Sequence, residues 1–364
     1  MVLVWERTFE MKGLILAGGK GTRLRPITYS MAKQLVPVAN KPVVLYGLEA
    51  IVKAGVTEIG VIVGDTADAV REALGDGSRF GCQITYIPQP APLGLAHAVQ
   101  TALPFLGNDD FIMYLGDNLI KSSLEALIDE FRQHRPAATI LLAEVEDPTQ
   151  FGVAEMENGR VHRLEEKPRQ PRSNLALVGV YIFSAAIHDI IANLQPSARG
   201  EYEITEAIQG LINTGQTVRS HIVQDWWKDT GDVAAMLEAN RLILEGLDRL
   251  IEGTVDADSR IEGRVVVEAG AEIIGSVIRG PAIIGPGCKI ERSYIGPFTS
   301  IDSHSVVREA EIENSILLAE TSVVEVRGRI SSSLIGRGAR VRQTQQVPKA
   351  IQLVLGDSSQ VELP

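Results

Sequence analysis

The chain has 364 residues, 45% of them apolar, and a formal net charge of −11. That length exceeds what one hydrophobic core usually serves, so two domains are expected. The acidic balance opposes a surface that tracks nucleic-acid phosphates, and no stretch approaches the roughly eighteen consecutive apolar residues of a membrane-spanning helix.

Residues 1–10 read as an N-terminal extension without the basic and long apolar segments of an export signal. Cys82 and Cys288 are the only cysteines and lie far apart, so neither a disulfide framework nor a zinc site is expected, and a reducing cytoplasm fits. From Met11 to about Leu247, β-branched runs alternate with stretches of helical period, the pattern of βαβ units around a mainly parallel sheet. Strands are expected over Gly13–Leu16, Glu58–Val63, Gln83–Ile87, Phe111–Leu115 and Thr139–Val145. Helices are expected over Pro42–Ala54, Ala67–Leu74, Leu95–Leu103 and Ser123–His134, the first opened by a proline and closed by Gly55. Asn158-Gly159 between two alternating runs signals a hairpin that leaves the parallel sheet.

After about Gly253 the apolar period becomes six. Aliphatics fall at Val255, Ile261, Val267, Ile273, Ile278, Ile284, Ile290, Ile295, Ile301, Val307, Ile312, Leu318, Val324, Ile330, Ile335 and Val341. Such spacing marks a parallel β-helix, left-handed and with three short strands to each of about five coils. The organisation expected is therefore a Rossmann-like α/β domain over 11–250, a hexapeptide-repeat β-helix over 251–345 and a cap or tail over 346–364.

The stretch LILAGGKGTRLRP, residues 14–26, places a glycine-rich turn at the carboxyl end of the first strand. In open α/β sheets that is where ligands bind, and backbone N–H groups there can face an anion. The turn is not a dinucleotide fingerprint, because Leu24 stands where the third glycine would be, and it lacks the GKS or GKT ending of a P-loop. What remains is Gly18, Gly19, Gly21 and Thr22 followed by two cations, Arg23 and Lys33. That order suits a triphosphate whose leaving group is pyrophosphate. A plain strand-to-helix connection is the alternative. Asp117, after the apolar run FIMYLG, and Asp229, in WWKDTG, are carboxylates at strand ends that suit one hard cation. Each also suits a turn, as does Asn118. The six histidines show no metal-ligand spacing; His304, in the β-helix, fits a water-facing corner better than a catalytic base.

LILAGGKGTRLRP followed by KQLVPVANKP closely resembles the signature of sugar-1-phosphate nucleotidylyltransferases. QPAPLGLAHA, YLGDN, FGV, LEEKP and WKDTG follow in the order of that family. The resemblance covers Met11 to about Leu247, and its finer pattern is most similar to the glucose-1-phosphate thymidylyltransferases, in the long form that adds a hexapeptide domain. It implies transfer of a nucleotidyl group from dTTP to glucose 1-phosphate, giving dTDP-glucose and pyrophosphate with Mg²⁺, for deoxysugar biosynthesis. By resemblance the nucleotide is held by Leu16, Gly18, Gly19, Gly21, Thr22, Arg23, Gln34, Gln89, Pro92, Gly94 and Asp117. Gln89 and Gly94 match positions that read the base, a task for which an amide and a close backbone are apt. Gly152, Glu166, Lys167, Val178 and Tyr181 match positions around the sugar phosphate, although Val178 and Tyr181 are also plausible core. The metal positions are Asp117 and Asp229, and the catalytic set is Arg23, Lys33, Asp117, Lys167 and Asp229.

Other readings stay open: another nucleotide or sugar, an added acetyl transfer in the β-helix, or a non-catalytic regulatory or scaffold subunit. Retention of all five charged positions opposes the last. The β-helix is expected to serve as a homo-oligomerisation surface.

Overall fold

The computed structural model describes residues 11–343 and 351–362. The expected extension over 1–10, and residues 346–350 and 363–364 of the expected tail, lie outside the described residues. Two compact units are present: one takes the chain to Lys20 and again from Val44 to Asp229, the other takes Gly21–Val43 and the chain from Thr230.

In chain order to Asp229 the strands are β1 (Lys12–Leu16), β2 (Pro37–Val38), β3 (Lys41–Pro42), β4 (Glu58–Val63), β5 (Gln83–Pro88), β6 (Phe111–Leu115) and β7 (Asn118–Ile120). β8 (Ala138–Glu144), β9 (Gly152–Glu157), β10 (Arg160–Glu166), β11 (Leu175–Phe183), β12 (Val218–Ile222) and β13 (Trp227–Asp229) follow. The helices are α1 (Val43–Lys53), α2 (Ala67–Leu74), α3 (Leu95–Thr101), α4 (Leu103–Leu106), α5 (Leu124–His134), α6 (Ala186–Ala192), α7 (Ile204–Asn213) and α8 (Val233–Leu244). The helix expected over Leu95–Leu103 ends two residues early and restarts at Leu103, with Pro104 in its first turn.

The first unit is built on a mixed nine-stranded sheet of order β10-β9-β11-β6-β1-β4-β5, with β8 beside β11 and β12 beside β8. β1 lies between β4 and β6 and runs parallel to both. From β1 the chain builds outward through β4 to β5, then crosses back to form β6 on the other side. The order therefore reverses between β1 and β6, which opens a crevice at their carboxyl ends. The near-continuous apolar runs GLIL and FIMYL are what a strand covered on both faces requires. Gly47 lets α1 approach closely, since a Cβ there would stand 2.6 Å from the Tyr114 ring. Asn158 and Gly159, at φ 50° and 75°, make the expected two-residue turn between β9 and β10.

Within the second unit, the residues from Leu250 to Arg342 form a left-handed parallel β-helix with three sheets. One column of inward aliphatics runs Val267, Ile284, Ile301, Leu317 and Ile335. A second runs Val255, Ile273, Ile290, Val307, Val323 and Val341. The third runs Ile261, Ile278, Ile295, Ile312 and Ile330. These columns correct the hexad reading in one coil, where Leu317 and Val323, not Leu318 and Val324, belong to the central stack. The cause is a short coil followed by a long one: Val307 pairs with Val323, sixteen positions on, and Val323 pairs with Val341, eighteen on. His304 occupies an exposed left-handed corner at φ 56°.

The same unit holds the short hairpin of β2 and β3, whose turn residues Ala39 and Asn40 both have positive φ, 47° and 60°. Alanine pays a steric cost in that region, so something else must hold the turn. Asn240, fully buried on α8, does so. Its Oδ1 accepts from the Ala39 N–H at 2.9 Å and the Ser300 hydroxyl at 3.0 Å, while its Nδ2 donates to the Phe298 carbonyl at 2.9 Å. Asn40 Nδ2 donates to the Ile301 carbonyl at 2.9 Å. Ala39, Leu244, Val266 and Ile283 seal the junction with apolar contact. Asn240→Ala strands three buried polar partners, so a loss of about 3 kcal/mol is expected, since each unsatisfied group costs about 1–3 kcal/mol. Denaturant unfolding followed by circular dichroism measures it, and exposed Gln100→Ala serves as the neutral comparison.

Candidate active site

At the switch point in the first unit, Leu16 of β1 is in register with Leu115 of β6, and the Gly116 N–H donates to the Leu16 carbonyl at 2.9 Å. The glycine turn from Gly18 and the carboxylate of Asp117 therefore leave adjacent strands at one sheet edge. Gly18 also faces the end of β4, where a Cβ on Gly64 would stand 3.1 Å from the Gly18 carbonyl oxygen.

Asp117 is tied to its surroundings by Asn118, whose Nδ2 donates to Asp117 Oδ1 at 2.9 Å. Asn118 is itself buried, and its Oδ1 accepts from the Trp227 indole. It lies at the start of β7 rather than in the turn itself, and its amide holds the Asp117 carboxylate. β7 pairs antiparallel with β13 so that Asn118 stands directly opposite Asp229. Asp117 thus contacts the buried Asn118 amide, and Asp229, from a distant part of the chain, is the partner of the same residue in the ladder. Residues opposite each other in such a ladder have Cα atoms about 5 Å apart. No group of three or more His, Cys, Asp or Glu side chains arranged to hold a metal ion occurs among the described residues. A pair suffices for Mg²⁺, which keeps several waters and takes its remaining oxygens from phosphates.

The QPAPLG loop, between β5 and α3, is held by the segment RGEYEIT, residues 199–205. The Tyr202 N–H donates to the Leu93 carbonyl at 2.7 Å, and the Ala96 N–H donates to the Tyr202 carbonyl at 3.0 Å. Gly94 sits between these bonds at φ 105°, where a Cβ would come within 2.5 Å of the Tyr202 carbonyl oxygen. No other residue fits there. Gln89 Oε1 faces the glycine turn, 3.6 Å from where a Gly18 Cβ would stand. Pro92 is exposed on the same loop.

The same segment shapes the sugar side. Gly152 and Glu166 are partners across β9 and β10. Glu166 Oε2 accepts from the Thr205 hydroxyl at 3.2 Å, and Oε1 accepts from Arg199 at 3.2 Å. Arg199 also contacts Glu203, which is buried. Burial, with help from Glu203, pushes the Glu166 carboxyl above its ordinary value of 4.5, against the opposing pull of Lys167, Arg199 and Thr205. Lys167 follows in a left-handed conformation at φ 43°, exposed, with its N–H donated to the Phe151 carbonyl at 2.9 Å. Val178 and Tyr181 are buried in β11, and Tyr181 belongs to the main core beside Phe183. The register of β11 against β8 breaks between Leu177 and Tyr181, so Val178 and Gly179 lie out of step with that ladder. Irregularities of this kind recur beside binding sites.

The remaining expected residues lie in the second unit. Gly21 has φ 61°, and a Cβ on it would strike the stem of Lys33 at 2.8 Å. Lys33 is buried, with its stem packed against that glycine. Gln34 is also buried, and its Oε1 accepts no hydrogen bond from the described residues. Arg23 is exposed and lies against Gly231, where a Cβ would stand 2.5 Å from its Nη2. Thr22 is exposed as well. The segment RGEYEIT carries part of the finer family resemblance, but sequence reasoning assigned no role to Arg199, Tyr202 or Thr205 within it, nor to Asn240. The signal was available in RGEYEIT, an acidic and polar segment opening a buried helix.

Residues 12–246 match the nucleotidyl transferase family. Two glucose-1-phosphate thymidylyltransferases, from Streptomyces antibioticus and Streptomyces griseus, are 57% and 54% identical over 97% of this chain and 99% of their own length. Among solved structures, a glucose-1-phosphate thymidylyltransferase from Bacillus anthracis superposes with a TM-score of 0.61 at 36% identity. That match covers 64% of this chain and 94% of the other. A UDP-glucose pyrophosphorylase holding UDP-glucose superposes at 0.59 with 25% identity, covering 65% and 99%. With the glycine turn and Asp117 at the switch point of the sheet and Asp229 across from Asn118, the chain belongs to the nucleotidyl transferase family, which generally uses a divalent metal.

Proposed function

We propose that this chain transfers a thymidylyl group from dTTP to α-D-glucose 1-phosphate, giving dTDP-glucose and pyrophosphate. The observation that carries the reading is the placement of the glycine turn and Asp117 on adjacent strand ends, with Asp229 across from Asn118. A phosphate oxygen of the sugar ester attacks the α-phosphorus in line, and the bond to the pyrophosphate oxygen breaks. A sugar phosphate is anionic at neutral pH and needs no general base, so positioning and charge neutralisation carry the catalysis.

Asp117 and Asp229 would hold Mg²⁺, which would supply charge neutralisation at the triphosphate. Backbone N–H groups from Gly18 to Thr22 cradle the phosphates, and Leu16 lines the approach. Arg23 and Lys33 stabilise the leaving pyrophosphate. Gln34, Gln89, Pro92 and Gly94 contact the nucleoside. Lys167 orients the attacking phosphate, and Glu166 accepts from sugar hydroxyls beside Gly152, Val178 and Tyr181. Cytoplasmic residence accords with these substrates, and no helix among the described residues is long and apolar enough to cross a membrane. The molecule is a homo-oligomer in this reading, supported by the exposed apolar run Ile351, Leu353, Val354 and Leu355 after the β-helix.

Pyrophosphate release measured with glucose 1-phosphate against dTTP, UTP, CTP, GTP and ATP tests the assignment, with dTTP expected to give the highest kcat/KM. Asp117→Asn is expected to fold normally and to lose at least about 100-fold in kcat, the scale of removing one transition-state charge contact. An unchanged rate at saturating Mg²⁺ removes Asp117 from the mechanism. Because the Glu166 carboxyl titrates above its ordinary value, its charged, stronger acceptor form is present above that raised pKa and is lost as pH falls through it. KM for glucose 1-phosphate is therefore expected to rise about fivefold more at acidic pH in the parent enzyme than in Glu166→Gln, the gap between a charged and a neutral acceptor. The substrate's own phosphate titrates identically with both enzymes, so the difference isolates Glu166.

A further inference from the structure

His97, on the first turn of α3, is half-buried and stands at 2.9 Å from Gln89 through its Nδ1 and the amide Nε2. The same Nε2 donates to the Gly94 carbonyl at 3.4 Å. A carbonyl oxygen can only accept, so the opposite orientation of the amide would set oxygen against oxygen. An amide nitrogen in turn has no lone pair to offer, so His97 Nδ1 must be the acceptor and its proton must sit on Nε2. Burial favours that neutral form. The ring is held in place by stacking on Tyr202, with centroids 6.1 Å apart and planes at 27°.

Both amide protons of Gln89 are therefore engaged, and its Oε1 is left facing the glycine turn as an acceptor. Thymine and uracil present an N3–H donor on the edge where cytosine presents an N3 lone pair. A fixed acceptor matches the first pair and meets the second with repulsion. Sites built around a single hydrogen bond discriminate strongly against partners that cannot make it.

We infer that His97 is a specificity-determining positioning residue, which fixes the Gln89 amide as a hydrogen-bond acceptor and so selects nucleotides whose pyrimidine carries N3–H over those of cytosine. The inference rests on the assignment of Gln89 as the base reader. It makes no distinction between thymine and uracil, whose N3 edges are alike.

The test compares kcat/KM for dTTP and dCTP, by pyrophosphate release, in the full chain and three variants. His97→Phe keeps a ring for Tyr202 but removes the acceptor, and the preference for dTTP is expected to fall about tenfold or more through KM, with kcat on dTTP within about twofold. His97→Asn, whose Oδ1 occupies nearly the place of Nδ1, is expected to restore most of the preference. Gln89→Leu is expected to abolish it. Imidazole ¹⁵N shifts at pH 7.5 are expected to show Nδ1 of His97 unprotonated. An unchanged preference in His97→Phe, equal losses in the Phe and Asn variants, or a protonated Nδ1 overturns the inference while leaving Gln89 in its role. An unchanged preference in Gln89→Leu overturns the base-reading assignment itself.

Discussion

Two backbone hydrogen bonds, one donated by Tyr202 to the Leu93 carbonyl and one accepted by Tyr202 from the Ala96 N–H, tie together two parts of the first unit's site. They stitch the loop proposed to hold the base onto the segment 199–205, and that segment supplies Arg199 and Thr205 to Glu166 on the proposed sugar side. A displacement of Tyr202 would therefore move both halves together. Backbone bonds suit this task because they fix a distance without depending on a rotamer, and the absence of a Cβ at Gly94 is what lets the two strands of chain approach.

The electrostatic design is economical for a chain of net charge −11. The Asn118 amide, a neutral donor, contacts Asp117, whereas Glu166 is held by the Thr205 hydroxyl together with the Arg199 guanidinium. Neutral donors orient a carboxylate without cancelling its charge, so it remains able to attract a metal ion or a polar ligand. The Asn118 amide in turn is fixed by the Trp227 indole. Asp117 is therefore backed by an amide that is itself held in place.

Much of this was legible in the sequence, for identifiable reasons. β4, β6 and α2 fall on their expected bounds because their apolar periods are uninterrupted and end at turn residues. The Asn158-Gly159 turn announced itself because few dipeptides adopt two successive left-handed conformations. The β-helix was readable from its period of six but slipped by one residue at Leu318 and Val324, since a coil one residue short followed by one that is long cannot be told from steady spacing until strands are paired. The division of the chain was less legible. Gly21–Val43 joins the unit of the β-helix, because the bonds that place it there run to residues some 200 to 260 positions away. His97 looked inert for a similar reason: a histidine that acts by orienting an amide leaves no spacing pattern, and its partner Gln89 is eight positions away across a loop.

The left-handed turn at Ala39 and Asn40 bears on how such chains can be recombined. Its conformation is supported by α8 and by the coil at Phe298–Ile301, so the stretch that carries Arg23 and Lys33 shares its structural fate with the carboxyl-terminal third. A hybrid spliced near residue 250 would keep the bond from Ala39 to Asn240 but replace Phe298 and Ser300 by residues of a foreign tail. A hybrid that exchanges 21–43 together with the whole chain from Thr230 would carry both sides of the junction from one parent. The natural seam for grafting therefore crosses the chain three times, and a linear map of domains would hide it.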